Sequence, residues 1–166
     1  MNVPAIYLAL GANLGDRAEN LGRALRALAP AIGVECVSPC YETAPAYVLD
    51  QPRFLNVVCR ATTTLDPLGV LRCLKTIEAA IGRTAGLRFG PRLIDLDLLL
   101  YGELLLDTPE LTVPHPRIAE RGFVLVPFAD IAPDLIHPLL GVSIAALRDR
   151  LPDAREGMRR AEEIVL

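Results

Sequence analysis

The chain has 166 residues, 52% of them apolar, and its 17 Lys and Arg against 20 Asp and Glu leave a net charge of −3. That length and apolar content fit a single domain over 1–166 with its own core. The acidic balance excludes an overall basic field of the kind nucleic acid demands, and no apolar run approaches the ~18 residues of a membrane span.

The predicted elements follow in chain order. Val3 to Leu10 reads as a buried strand ending at Gly11, and the start lacks the basic region of a signal peptide. Asp16 can cap a helix over 17–29, where Leu21, Ala24, Leu25 and Leu28 keep helical spacing. Val34 to Thr43 is a second strand. The loop after it, with Pro45, Asp50 and Pro52, is long enough to be suspected of function. Phe54 to Thr64 alternates, with Leu55, Val57, Cys59 and Ala61 on one face, so a strand buried on one side is expected. Asp66-Pro67 and Gly82 bracket a helix whose buried stripe is Val70, Leu74, Ile77 and Ile81. A strand containing Asp95 and Asp97 then turns at Gly102-Glu103 into Leu104–Leu106, a hairpin. Residues 107–122 form a Pro-rich connection. Phe123 to Ile131 and Ser143 to Leu151 look helical, interrupted by Pro127 and by Pro133 to Gly141, and the last ten or so residues look frayed.

Strand–helix–strand–strand–helix–strand over 3–101 is the split βαβ pattern of a ferredoxin-like α+β fold. One antiparallel sheet is expected, with helices mainly on one face and the C-terminal hairpin and helices added to it. Cys36, Cys40, Cys59 and Cys73 form no Cys-x-x-Cys pair and have no His at zinc spacing. Four inert core thiols and a reducing, cytoplasmic compartment are the expectation.

The chemistry concentrates in Arg88-Phe-Gly-Pro-Arg-Leu-Ile-Asp-Leu-Asp-Leu-Leu-Leu-Tyr101. Residues two apart on a strand share a face, so Asp95 and Asp97 stand side by side, about 7 Å apart along the strand. Two anions in an apolar run repel each other and resist leaving water. A divalent cation offsets both effects, and oxygen-only ligands favour Mg²⁺, which takes one or two carboxylates plus substrate phosphates. Arg83, Arg88 and Arg92, in a stretch broken by Gly86, Gly90 and Pro91, suit a phosphate clamp.

Other features are less specific. Gly11-Ala-Asn-Leu-Gly-Asp16 reads as a strand-to-helix turn, since it lacks the endings of the phosphate-binding loops. His115, between two prolines and close to Arg117 and Arg121, fits a phosphate donor or a solvent-exposed loop histidine equally. Phe54 and Asn56 share a strand face. An aromatic plate beside an amide can hold a flat heterocycle, and the same pair also describes an ordinary sheet edge.

Together these segments resemble the 6-hydroxymethyl-7,8-dihydropterin pyrophosphokinase family of folate biosynthesis. The resemblance runs from Tyr7 to about Leu135. It is carried by Leu10-Gly-Ala-Asn-Leu-Gly-Asp16, Tyr41-Glu-Thr-Ala-Pro45, Gln51-Pro-Arg-Phe-Leu-Asn56, Ile77-Glu78, Gly82-Arg83, Arg88 to Leu99, Val113-Pro-His-Pro-Arg117 and Arg121-Gly-Phe123. It implies a ferredoxin-like enzyme that moves the β,γ-diphosphate of ATP to the pterin hydroxymethyl group and releases AMP. By the same resemblance, Asp95 and Asp97 hold two Mg²⁺ ions, and Arg83 and Arg92 contact the polyphosphate. His115 and Arg121 grip ATP phosphates, with Glu78, Leu98 and Thr112 lining the nucleotide site. Phe54 and Phe123 sandwich the pterin, whose polar edge is read by Asn56 and the backbone of Thr43, Ala44, Pro45 and Ala46. With no His or Lys base nearby, the attacking hydroxyl gives its proton to an Asp97 oxygen or a metal-bound hydroxide. The expected partners are the two small substrates, with no nucleic acid and no membrane, and the expected state is a monomer.

The chain departs from the family pattern at five positions. Ala12 replaces a frequent Ser, Tyr47 stands for a frequent Gly, Phe89 stands for Trp, Ala85 replaces an Arg, and Glu110 lies where some members place a basic residue. Two rival readings remain beside the resemblance. One is another Mg²⁺-dependent nucleotidyltransferase or hydrolase using Asp95 and Asp97; the other is a non-catalytic ferredoxin-like module that binds a small ligand.

Overall fold

The computed structural model describes residues 3–82 and 88–166. Strand β1 (Ala5–Ala12) lies at the centre, paired antiparallel to β4 (Phe54–Thr63) on one side and β5 (Asp95–Tyr101) on the other. It runs two residues past its expected end and includes Gly11. Helix α1 (Arg17–Leu28) starts at the Asp16 cap, whose side chain accepts from the Glu19 amide. Helix α2 (Pro67–Ile81) starts at the Asp66 cap and ends at Gly82, whose φ of 109° is the left-handed turn a glycine allows.

The expected second strand is two strands. β2 (Ile32–Val37) and β3 (Tyr41–Thr43) pair with successive stretches of β4, separated by Ser38-Pro39-Cys40. Pro39 has no N–H to give the ladder. Ser38 keeps the chain on β4 by donating its amide to Val58 O at 2.8 Å and accepting from Val58 N at 3.0 Å.

The main sheet is ordered β5-β1-β4-β3-β8, with β2 also on β4. Its last member, β8 (Met158–Arg160), was expected to fray. Instead it adds antiparallel to β3, and Ala161 behind it is 1% exposed. The hairpin after β5 also differs. Gly102 turns the chain, but β6 (Leu106–Asp107) pairs with β7 (Thr112–Val113), not with β5.

Helices cover both faces of the sheet. Leu21 and Leu28 of α1 and Val70 and Leu74 of α2 pack on Ile6, Leu8, Leu10, Leu55 and Val57. On the opposite face, α3 (Gly122–Ile131), preceded by a short turn of 3-10 helix at Ile118–Glu120, packs on Tyr7, Val58 and Leu99. Helix α4 (Ile144–Arg150) packs with it in the same cluster. The expectation of helices mainly on one face therefore gives way to an α+β molecule covered on two. For the same reason β4 is not a strand buried on one side: Val58 is as enclosed as Cys59. Pro127 lies inside α3, where its missing N–H costs a helix bond. The burial of every residue from Val124 to Ala129 outweighs that loss. Of the cysteines, Cys40 and Cys59 are buried and Cys73 is half-buried. Cys36 is exposed on β2, so the expectation of four core thiols fails there.

Candidate active site

Strand register builds the floor of a cleft. Asp95, Gly11, Asn56 and Tyr41 face one another in a row across β5, β1, β4 and β3. Asp97 follows opposite Ala9, and Phe54 opposite Thr43. Paired residues in a sheet share a face, so the row lies on the side where α3 packs. Gly11 has a steric reason to be there. A Cβ at that position would lie 2.6 Å from Asn56 Oδ1, so only glycine lets the amide lie across the strand. Asn56 Nδ2 donates to Thr43 Oγ1 at 2.8 Å, which fixes the amide orientation.

The cleft opens where α3 begins. Its lining brings together Thr43, Ala44, Ala46, Phe54, Asn56 and Phe123 with Arg92, Asp95, Asp97 and Arg121. One half is thus aromatic and amide, the other carboxylate and guanidinium. Pro45, Glu78, Leu98, Thr112 and His115 are not among the lining residues. Glu78 is buried beneath β5, where it accepts the Leu96 amide at 3.1 Å and pairs with Lys75 at 3.3 Å. Leu98 is buried in the core against α2. Thr112 donates to Asp107 at 3.3 Å. Arg83 and Ala85 lie outside the described residues.

Charge is strained in this cleft. Burial, and then the neighbouring Asp95 carboxylate, push Asp97 up to about 7 from an ordinary 3.8, with Arg121 pulling the other way. Burial, and then Arg121, push His115 down to about 4. Its Nδ1 accepts the Arg117 amide at 3.1 Å, so the neutral ring carries its proton on Nε2 and offers a donor there.

Among the described residues, no three His, Cys, Asp or Glu side chains gather into a complete metal cage. The donor set of Asp95 and Asp97 nevertheless suits Mg²⁺, which takes few protein ligands and completes its shell from phosphate and water. A cation between the two carboxylates would offset both the burial and the Asp95 repulsion that raise Asp97.

Two groups of residues bear on the cleft beyond the roles that the sequence suggests. Asn13, 2% exposed, joins three segments. Its Nδ2 donates to Gln51 Oε1 at 3.0 Å and Pro52 O at 2.8 Å, and its Oδ1 accepts the Arg92 amide at 2.7 Å. Gln51 Nε2 in turn donates to Phe89 O at 2.8 Å. A polar residue held between Gly11 and Gly15 was the available signal. The second group is a stack over the mouth. The Tyr47 and Phe89 rings lie 4.4 Å apart at 28°, with Arg117 5.3 Å and 5.0 Å from their centres. Both residues have left-handed φ, 67° and 60°, a conformation costing about 1–2 kcal/mol without glycine that the stack offsets. Tyr47 also donates to Glu120 at 3.0 Å and accepts from Arg121 Nε at 3.3 Å.

Comparison with known proteins identifies the family of the chain. The 7,8-dihydro-6-hydroxymethylpterin-pyrophosphokinase family matches residues 7–133. The 2-amino-4-hydroxy-6-hydroxymethyldihydropteridine pyrophosphokinase of Pseudomonas aeruginosa is 47% identical over 138 residues, 82% of this chain and 85% of that protein. The folic acid synthesis protein FOL1 of Dictyostelium discoideum is 39% identical over 148 residues, 89% of this chain. The mitochondrial folate synthesis bifunctional protein of Pisum sativum is 50% identical over 127 residues, 76% of this chain. The chain spans only 22% and 25% of those two larger relatives. Among solved structures, wild-type Plasmodium falciparum HPPK-DHPS has a TM-score of 0.74 at 17% identity, covering 96% of this chain and 48% of that one. A second HPPK-DHPS, in complex with substrates, reaches 0.80 at 15% identity over 96% of this chain and 47% of its own. Those structural matches speak to the fold, while the sequence matches speak to descent: this chain belongs to the 7,8-dihydro-6-hydroxymethylpterin-pyrophosphokinase family.

Proposed function

We propose that the cleft transfers a diphosphate from ATP to the hydroxymethyl group of 6-hydroxymethyl-7,8-dihydropterin, with the pterin in the aromatic half and the polyphosphate in the charged half. As a member of its family the chain is an ATP-dependent pyrophosphokinase of folate synthesis. The observation that carries the residue-level reading is the lining itself, where Phe54, Asn56 and Phe123 share one cleft with Arg92, Asp95, Asp97 and Arg121.

Phe54 and Phe123 offer ring faces to a flat heterocycle, and Asn56 and the Thr43–Ala46 backbone offer donors and acceptors to its edge. Asp95 and Asp97 would hold the metal, two Mg²⁺ ions in this reading. When bound, Mg²⁺ offsets polyphosphate charge and makes the β-phosphorus more electrophilic. Arg92 and Arg121 supply guanidinium to the phosphate oxygens, and His115 adds its Nε2–H; Arg83 belongs to the same assignment. A bond forms between the hydroxymethyl oxygen and the β-phosphorus as the bond to the α,β-bridging oxygen breaks and AMP leaves. The hydroxyl proton passes to an Asp97 oxygen. Catalysis is then chiefly alignment and charge neutralisation, as phosphoryl transfer requires. Glu78, Leu98 and Thr112 support the nucleotide side from behind.

The ferredoxin-like reading of the core is part of this proposal, supported by the order β5-β1-β4 with β2 and β3 beyond. So are a monomer and a reducing cytoplasm, the second of which suits four free cysteines. No helix among the described residues is long and apolar enough to cross a membrane.

Product analysis with ATP, Mg²⁺ and 6-hydroxymethyl-7,8-dihydropterin tests the reading. AMP should appear one-for-one with the pterin diphosphate. Asp97→Asn should lose about 10²–10³-fold in turnover and Arg92→Ala should keep its fold and slow. Release of pyrophosphate or inorganic phosphate would indicate a nucleotidyltransferase or hydrolase. Untouched ATP in folded protein would indicate a binding module.

A further inference from the structure

The segment after α4 lies beyond residues 7–133, where the family matches, yet it touches both walls of the cleft's aromatic half. On one wall, Gly157 O accepts the Ala44 amide at 3.0 Å, and β8 holds Thr43 and Glu42 in register with Met158 and Arg159. On the other wall, Gly122 lies directly against the Ala154 backbone. A Cβ at Gly122 would stand 2.1 Å from Ala154 O, so the start of α3, with Phe123, is seated on this segment. Ala154 also packs in a small cluster with Tyr41, Val126, Leu151 and Met158. Tyr41 donates its hydroxyl to Asp130 of α3, closing the bridge from β3 to the helix.

We propose that residues 154–161 act as a strap that fixes the spacing of the two pterin-facing walls, with Gly157 and Arg53 as its positioning residues. This rests on the functional reading above. Gly157 has φ 67°, and a Cβ there would meet the Ala44 Cβ at 3.0 Å. The conformation and the close approach both favour glycine. Arg53, which does not line the cleft, donates its guanidinium to Gly157 O and, at 3.4 Å, to Glu42 O. The strap carbonyl is therefore held from two sides. A planar ligand between two walls tolerates little change in their separation, and displacements well under 1 Å are felt in binding. Beyond its own segment, the hydrogen bonds of the strap among the described residues go to β3, Ala44, Arg53 and Cys40, so it bears directly on the aromatic half.

The test is steady-state AMP formation with both substrates varied, together with melting curves, for Gly157→Ala and Arg53→Met. Gly157→Ala should raise the pterin KM about tenfold, leaving the ATP KM and kcat within about twofold. Arg53→Met should raise it about threefold, in line with losing the guanidinium hold on the strap carbonyl while the Ala44 amide keeps its own. An unchanged pterin KM in both variants would overturn the strap, and so would an equal rise in both KM values, which marks a merely structural role. Should Gly157→Ala fail to fold, Arg53→Met alone decides. Wild-type protein that forms no AMP would overturn the functional reading itself, and the strap with it.

Discussion

Asp97 and His115 respond to burial in opposite directions, so the Asp95–Asp97 pair in the cleft and the imidazole outside its lining leave opposite marks on the pH dependence. Burial disfavours whichever form is charged, so the Asp97 carboxyl rises to about 7 and the His115 imidazole falls to about 4. For Asp97 the folded value lies above the unfolded one of 3.8, so the folded state holds the proton more tightly. Its contribution to stability is full below about 4 and is lost as pH rises through about 7. For His115 the folded value lies below the unfolded 6.5, so its contribution is full above 6.5 and is lost as pH falls toward 4. Melting curves from pH 4 to 8 in chelator should therefore show Asp97→Asn losing the decline on the alkaline side. His115→Gln should lose part of the decline on the acid side, while buried His137, also pushed down by burial, keeps the rest. Adding Mg²⁺ should relieve the alkaline decline in wild type and change Asp97→Asn little. Curves that merely shift in parallel would mean that neither group is the source of the slope.

At the scale of elements, local chemistry was readable wherever a cap or a glycine sets a boundary. Asp16, Asp66 and Gly82 mark the two long helices correctly, because each acts on backbone groups within four residues of itself. The break at Ser38-Pro39 had a signal in Pro39, which cannot donate to a ladder, but the strand-forming residues on either side of it hid where the pairing would resume. The Ser38 hydroxyl on β4 carries the chain across that break. Edge pairing of β8 was equally hidden, since three charged or flexible residues carry no alternation that names a partner. The cleft residues divide in the same way. Asp95, Asp97, Phe54 and Asn56 announce themselves by spacing, whereas Asn13 matters through partners 38 and 79 residues away. Asn13→Ala would leave the Arg92 amide and Pro52 carbonyl without their buried partner. That should destabilise the protein by about 2–3 kcal/mol, a fall of roughly 4–10 °C in Tm. Hydrogen exchange at the Arg92 amide should accelerate with it. An Arg92 amide still protected in the variant would mean that Asn13 is not what holds this segment.

For the whole molecule, the cleft is what remains of one sheet face after α3 has covered the rest. The sequence carried an α+β fold and its apolar helices, but not which helices share a face, because apolar runs do not say which side they cover. The outcome has an energetic consequence. The layer built by α1 and α2 stabilises the sheet from behind, while the α3 layer both stabilises it and sets the front wall at Gly122 and Phe123. Phe128 is fully buried in that front layer, its ring 5.0 Å from Tyr7, and Leu74 is fully buried in the rear one. Phe128→Ala should cost about 3–5 kcal/mol and Leu74→Ala about 2–5 kcal/mol, so urea midpoints should fall by similar amounts. Their kinetics should diverge. Loosening α3 lets Phe123 drift from Phe54, so Phe128→Ala, or the milder Phe128→Leu where the first does not fold, should raise the pterin KM. Leu74→Ala, with the same loss of stability on the other side of the sheet, should leave that KM where it was. A matched rise in both would mean that the sheet transmits the loss and that the front helix has no separate hold on the cleft.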